Sequence, residues 1–208
     1  MKGKRNPYIA REGIPFLLLS FSLAWLAFYY RELPWFIAAI ALMVLLFMIF
    51  KDPRRRIPAV PLGVVSPIDG RVVDIGVTDK AVLHGEALRV VLSINSLGTY
   101  TARCPVEGKI MDLNSISTEK IIDYQTNALW VQTDEGDDVV LQFTGYRLGL
   151  PPKSFLRFGE RLGQGSRCAY LRLTRLAEVH LPIDSKILVE PGQRVIAGKD
   201  VLARLPPH

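Results

Sequence analysis

The stretch that most invites a chemical reading is Ser66–Val73, SPIDGRVV, which puts an acid, Asp69, beside a glycine after a proline. The pattern returns twice in degenerate form, as Pro105–Met111 (PVEGKIM) and Pro182–Leu188 (PIDSKIL). Proline fixes φ and can open a strand without donating to a ladder. The acid and small residue suit a tight turn, and the apolar pair that follows re-enters a sheet. As a turn residue, Asp69 would bond its own nearby backbone. The other groups able to hold a metal or act as nucleophiles are sparse. The two cysteines, Cys104 and Cys168, form no CxxC pair, and His84, His180 and His208 are scattered. That spacing argues against a structural metal site and a disulfide framework, and for reduced, strand-borne thiols.

The elements that would position these residues fall into two classes. Ile14–Tyr30 is 17 residues without a charge, and Leu33–Phe50 is 18. At 1.5 Å per residue each reaches roughly 26 Å, close to a ~30 Å hydrocarbon core. Arg31, Glu32 and Pro34 separate them, and Trp25, Tyr29, Tyr30 and Trp35 gather at the turn as an interfacial belt would. Residues 1–50 therefore read as an anchor of two transmembrane helices. From Met1 to Arg56 nine bases face three acids, whereas from Ile57 onward 17 bases meet 17 acids. The net charge of +6 thus belongs entirely to the N-terminal segment. This argues against a nucleic-acid-binding domain, which should carry its own basic face, and it suits bases flanking apolar spans. The positive-inside rule puts both termini in the cytoplasm, on a multi-pass protein of a bacterial-type inner membrane.

Residues 51–63, KDPRRRIPAVPLG, form a basic, proline-rich linker. Lys51, Arg54, Arg55 and Arg56 would lie at anionic headgroups, each worth about 1 kcal/mol near the surface. Residues 64–208 read as a mainly-β domain, a barrel or sandwich of pseudo-repeated hairpins. Arg89–Ile94, Ala128–Thr133 and Val139–Thr144 are strand-like, with Asp134–Asp137 as a hairpin turn between the last two. Gly159–Gly165 and Gly192–Gly198 share a Gly-x-Arg-apolar-x-x-Gly form and read as one tight hairpin used twice. Ser115–Asp123 is a short-helix or loop candidate.

Taken in order, FKDPRRRIP (Phe50–Pro58), SPIDGRVVDIG (Ser66–Gly76), ARCPVEGKI (Ala102–Ile110), YLRLTRLAEVHLP (Tyr170–Pro182) and EPGQRVIAGKDVLA (Glu190–Ala203) resemble the phosphatidylserine decarboxylase family. The resemblance is to the short, membrane-anchored type, and it covers nearly the whole chain. It implies a lyase built as a pyruvoyl enzyme. A serine after a glycine attacks the preceding carbonyl, the chain splits, and the serine becomes an N-terminal pyruvoyl group. It also implies a membrane phospholipid, an aminophospholipid, as partner.

Carried over position by position, the family's aspartate of Ser-Pro-x-Asp-Gly falls on Asp69. Its histidine position falls on Tyr100, and the aspartate two residues before that on Gly98. Its glycine-serine pair falls on Thr174 and Arg175. Arginine has no nucleophilic oxygen, and a phenol with an ordinary pKa of ~10 is a poor base near neutrality. The family's Asn-Glu pair becomes Asn127-Ala128, and its paired arginines reduce to Arg147 after Gly145. These departures from the family pattern point to a pseudoenzyme without a cofactor, a pyruvoyl group arising only with self-cleavage. Such a chain would bind aminophospholipid or a partner membrane enzyme, with oligomers open. The alternatives are an active enzyme forming phosphatidylethanolamine with Thr174 or Ser166 as nucleophile, His180 serving as base, or a lipoyl-like structural adaptor.

Overall fold

The computed structural model describes residues 8–79, 83, 85–111, 128–145 and 150–207. The candidate helix or loop Ser115–Asp123, and the positions Asn127 and Arg147, lie outside them. The chain divides into two units: residues up to Arg54 together with Leu97–Tyr100, and Arg55–Ser96 together with the residues from Thr101 on.

The first unit is a helical hairpin. A 3-10 turn, Arg11–Gly13, leads into α1 (Ile14–Tyr29), and α2 spans Leu33–Phe50. Pro15 and Pro34 sit in the first turn of each helix, where a missing N–H costs nothing. The turn between them is closed by Arg31 in the left-handed region, φ 57°. The helices meet through small residues, with Ser20, Ala24 and Ala39 buried. Their bulky side chains point outward, among them Leu18, Phe21, Trp25, Trp35 and Ile37. Such a surface suits apolar surroundings, and both helices are long and apolar enough to cross a membrane. At the base, Ala10 N–H donates to Phe50 O and Asp52 N–H to Tyr8 O. Gly13 lies so close to Phe50 that a Cβ there would stand 2.3 Å from Cγ.

The second unit is antiparallel throughout. Its strands are β1 (Gly63–Val65), β2 (Gly70–Thr78), β3 (Ala87–Ile94), β4 (Thr101–Arg103), β5 (Gly108–Met111), β6 (Ala128–Gln132) and β7 (Asp138–Thr144). They continue as β8 (Lys153–Ser154), β9 (Arg161–Leu162), β10 (Arg167–Tyr170), β11 (Leu176–Pro182), β12 (Lys186–Ile187), β13 (Arg194–Val195) and β14 (Val201–Arg204). One sheet runs β13-β2-β3-β11-β7-β6-β5-β9, a second β1-β14-β12 and a third β4-β10-β8. The three strands expected from sequence are β3, β6 and β7. The expected turn closes on Thr133, whose N–H donates to Asp137 O at 2.9 Å. Alternation sets the core: Val90 and Leu92, Val139, Leu141 and Phe143, and Ala177, Val179 and Leu181 share one buried cluster.

Two expectations need correction. The sheets do not close into a barrel. The edge strands β13 and β9 of the large sheet are two residues long and pair only with β2 and β5. The two Gly-x-Arg-apolar-x-x-Gly segments are also not hairpins. Each supplies one of those edge strands, and positive φ at Gly159, Gly165, Gly192 and Gly198 turns the chain away at both ends. Short edges of this kind leave few open ladder groups. The three proline corners are only partly alike. Ile68 and Val106 are buried in the first two, but Ile183 is exposed in the third.

Two glycines separate backbone crowding from backbone freedom. A Cβ on Gly70 would lie 1.9 Å from Ser93 O, whereas one on Gly76 would meet nothing within 4 Å. Gly70→Ala is expected to cost about 1–3 kcal/mol through forced displacement. Gly76→Ala should be neutral or gain a few tenths of a kcal/mol. Thermal unfolding of the detergent-solubilised chain would compare them.

Candidate functional site

Asp69 stands immediately before β2, with its carboxylate buried. Oδ1 accepts the Ala197 N–H at 2.7 Å, and Oδ2 accepts Arg55 Nη2 at 2.7 Å. The main chain is held as well: Asn95 N–H donates to Asp69 O, and Gly198 N–H donates to Ser66 O. The expectation that Asp69 bonds its own turn is not met. The local turn bond is made by Ser66, whose hydroxyl donates to Ile68 O at 2.8 Å. Asp69 instead joins the linker and the segment before β14 to the start of β2.

Arg55 is thereby taken out of the expected headgroup set, its guanidinium paired and its side chain only 23% exposed. Arg54 and Arg56 are exposed. Lys51 is half-buried, and its carbonyl accepts the Tyr100 N–H.

Tyr100 belongs to the helical unit and is buried. Its hydroxyl donates to Glu12 Oε2 at 3.0 Å, and its ring tilts against Phe50 at 4.7 Å. Phe50 in turn stacks on Phe16. Gly98, two residues before, is half-buried and carries no acid. Sequence reasoning missed Glu12 because it lies 88 positions from its partner.

Thr174 and Arg175 follow a tight turn in which Arg172 (φ 47°) and Leu173 (φ 65°) are both left-handed. For residues with a Cβ this costs roughly 1–2 kcal/mol each. Thr174 is fully buried, its N–H and its hydroxyl both donating to Leu171 O. Arg175 N–H donates to Gly145 O and Arg175 O accepts from Ile94 N–H, while its side chain is exposed. The other Gly-Ser pair lies in the turn between β9 and β10, where Gly165 has φ 69° and Ser166 is half-buried.

His180 lies on β11, on the sheet face opposite the apolar cluster. It is buried and neither ring nitrogen has a hydrogen-bond partner. Glu178 Oε2 stands 3.7 Å from Nε2, and Arg89 bridges from Glu178 to Asp74. Burial, aided by the Arg89 charge, holds the imidazole pKa down at about 4. Among the described residues no group of three or more His, Cys, Asp or Glu is placed to hold a metal ion. Cys104 and Cys168 are buried free thiols, and burial pushes the former up to about 12.

No protein-family model matches the chain. Among curated proteins, the phosphatidylserine decarboxylase proenzyme of Symbiobacterium thermophilum is 34% identical over 216 positions, covering 99% of this chain and 100% of its own. That of Nitrosomonas europaea is 33% identical over 208 positions, covering 95% of each. Of solved structures, glucose permease IIA from Mycoplasma capricolum is 18% identical and covers 68% of this chain and 94% of its own, with a TM-score of 0.43. That superposition is too partial to bear on function.

Two outcomes follow from the buried polar groups. The folded His180 stays neutral to about pH 4, while the unfolded chain takes up its proton near pH 6.5. Stability present above pH 6.5 is therefore lost as pH falls toward 4, by roughly 2–3 kcal/mol from this group. Tm measured across that range should fall, and His180→Phe should flatten the fall. Asp69→Ala leaves the Ala197 N–H and Arg55 without their acceptor and should cost about 2–3 kcal/mol in denaturant unfolding. Asp69→Asn keeps an acceptor for the amide and should cost less.

Proposed function

The chain belongs to the phosphatidylserine decarboxylase family, and we propose that it is a membrane-anchored member that does not cut itself. It acts in phospholipid metabolism by binding an aminophospholipid or a partner membrane enzyme, not by decarboxylation. Its two apolar helices cross a bacterial-type inner membrane, with both termini and the β unit in the cytoplasm. Bases before the first span and after the second support that orientation.

One observation carries the reading. The position aligned with the pyruvoyl-forming serine is Arg175, which offers no hydroxyl and turns its side chain to solvent. The residues present do not fit a pyruvoyl group, because none of them puts a free hydroxyl on the carbonyl before position 175. The nearest hydroxyl, on Thr174, is committed to the Leu171 carbonyl, whereas an acyl shift needs it on the carbonyl of Leu173. The histidine position holds Tyr100, whose hydroxyl is a donor to Glu12 and not a proton acceptor there. Asp69 remains, but its two oxygens are occupied by Ala197 and Arg55.

The alternative of an active enzyme with Thr174 as nucleophile predicts a cut before that residue and a ketobutyryl terminus. The adaptor alternative predicts no headgroup preference. Mass spectrometry of the chain freshly purified from membranes should give one uncut species of 23.3 kDa, unreactive toward hydrazides. Two fragments, the smaller carrying a reactive carbonyl at its N-terminus, would overturn the proposal. Flotation of the full chain with vesicles bearing serine, ethanolamine or choline headgroups would separate aminophospholipid binding from the adaptor reading.

A further inference from the structure

The segment from Leu150 to Phe158, LPPKSFLRF, contains two bases, three large exposed apolar side chains and no acid. Leu150 is 49% exposed, Phe155 38% and Phe158 68%, and Lys153 and Arg157 are exposed between them. Single exposed apolar residues are ordinary on a soluble surface. Three in nine positions, interleaved with bases on one short segment, are not accounted for by the fold.

The backbone beneath them is firmly held. Lys153 and Ser154 form β8, the edge strand paired to β10. Phe155 N–H donates to Cys168 O, and the Phe155 ring lies 5.1 Å from that of Tyr170. A turn from Arg157 to Glu160 closes through Glu160 N–H to Arg157 O, and Gly159 N–H docks on Ile110 O of β5. Phe158 is thus presented at the tip of a pinned turn. The packing neither buries its ring nor lets the backbone withdraw it. Protecting the open edge from pairing with another strand would need only Lys153. It would give no reason for an aromatic tip.

We propose that residues 150–158 are an interfacial membrane contact of the β unit, in which Phe155, Phe158 and Leu150 enter the headgroup–acyl boundary and Lys153 and Arg157 meet anionic phosphates. Charge complementarity selects this occupant. Aromatic rings with flanking bases match the amphipathic boundary of an anionic bilayer, and the same chain carries helices able to span one. This proposal does not depend on whether the chain cuts itself.

The test uses the full chain with a single environment-sensitive fluorophore. The native cysteines are buried, so a maleimide would read only an introduced one. Phe158→Cys and, as control, Asp184→Cys in the exposed turn before β12 would be labelled and reconstituted. The vesicles would be phosphatidylcholine, with or without phosphatidylglycerol, carrying brominated acyl chains. The label at 158 should be quenched at least twofold more than that at 184. Phosphatidylglycerol should strengthen this quenching, and Lys153→Glu with Arg157→Glu should abolish the strengthening. Equal quenching at the two positions would overturn the proposal. So would quenching at 158 that appears only between two labelled copies, which would make the segment a self-association edge. Neither result would touch the reading of Arg175, which rests on mass and carbonyl reactivity.

Discussion

The β unit depends on one buried carboxylate. Asp69 takes a hydrogen bond from an amide 128 positions further along the chain and pairs with an arginine 14 positions before it. A carboxylate withdrawn from water is tolerated only when its oxygens are satisfied, and here each oxygen has a donor from a different segment. The linker, the start of β2 and the turn into β14 must therefore arrive together. The neighbouring glycine enforces the same meeting sterically, because Gly70 passes Ser93 O at a distance that no side chain would allow.

A second constraint lies at the entry to β11. Arg172 and Leu173 are held left-handed without being glycine, an arrangement that persists only where its surroundings compensate. The compensation is visible. Thr174 closes the turn with both its N–H and its hydroxyl, and the Arg175 backbone is bonded on both sides, to Gly145 and to Ile94. The strained backbone at Arg172 and Leu173 is thus held as a structural turn.

How much of this was legible beforehand depends on the range of the cause. The two helices announce themselves by uninterrupted charge-free length, and α2 has the bounds read from sequence. The central strands β3, β6 and β7 follow from alternation and flanking turn residues. The edge strands β9 and β13 did not, because a two-residue strand has no period, and their glycine pattern reads equally as a hairpin. Arg55 in a run of three arginines reads as one more solvated base, and only the folded chain distinguishes it from Arg54 and Arg56. The Tyr100–Glu12 bond spans too much sequence for any local signal, although both residues were visible as types. The family resemblance was legible for the opposite reason. It depends on residue identity in a recognisable order, which needs no coordinates.

Asp69 and Arg175 differ in which of their groups the fold uses. At Asp69 the side chain itself is structural, one oxygen on the Ala197 N–H and the other on Arg55. At Arg175 the structural work is done by the backbone N–H and C=O, which any non-proline residue supplies, and the side chain projects into solvent. Those backbone bonds do not depend on which side chain stands there. Folding alone thus accounts for an acid at 69, whereas the backbone bonds at 175 leave its side chain unspecified.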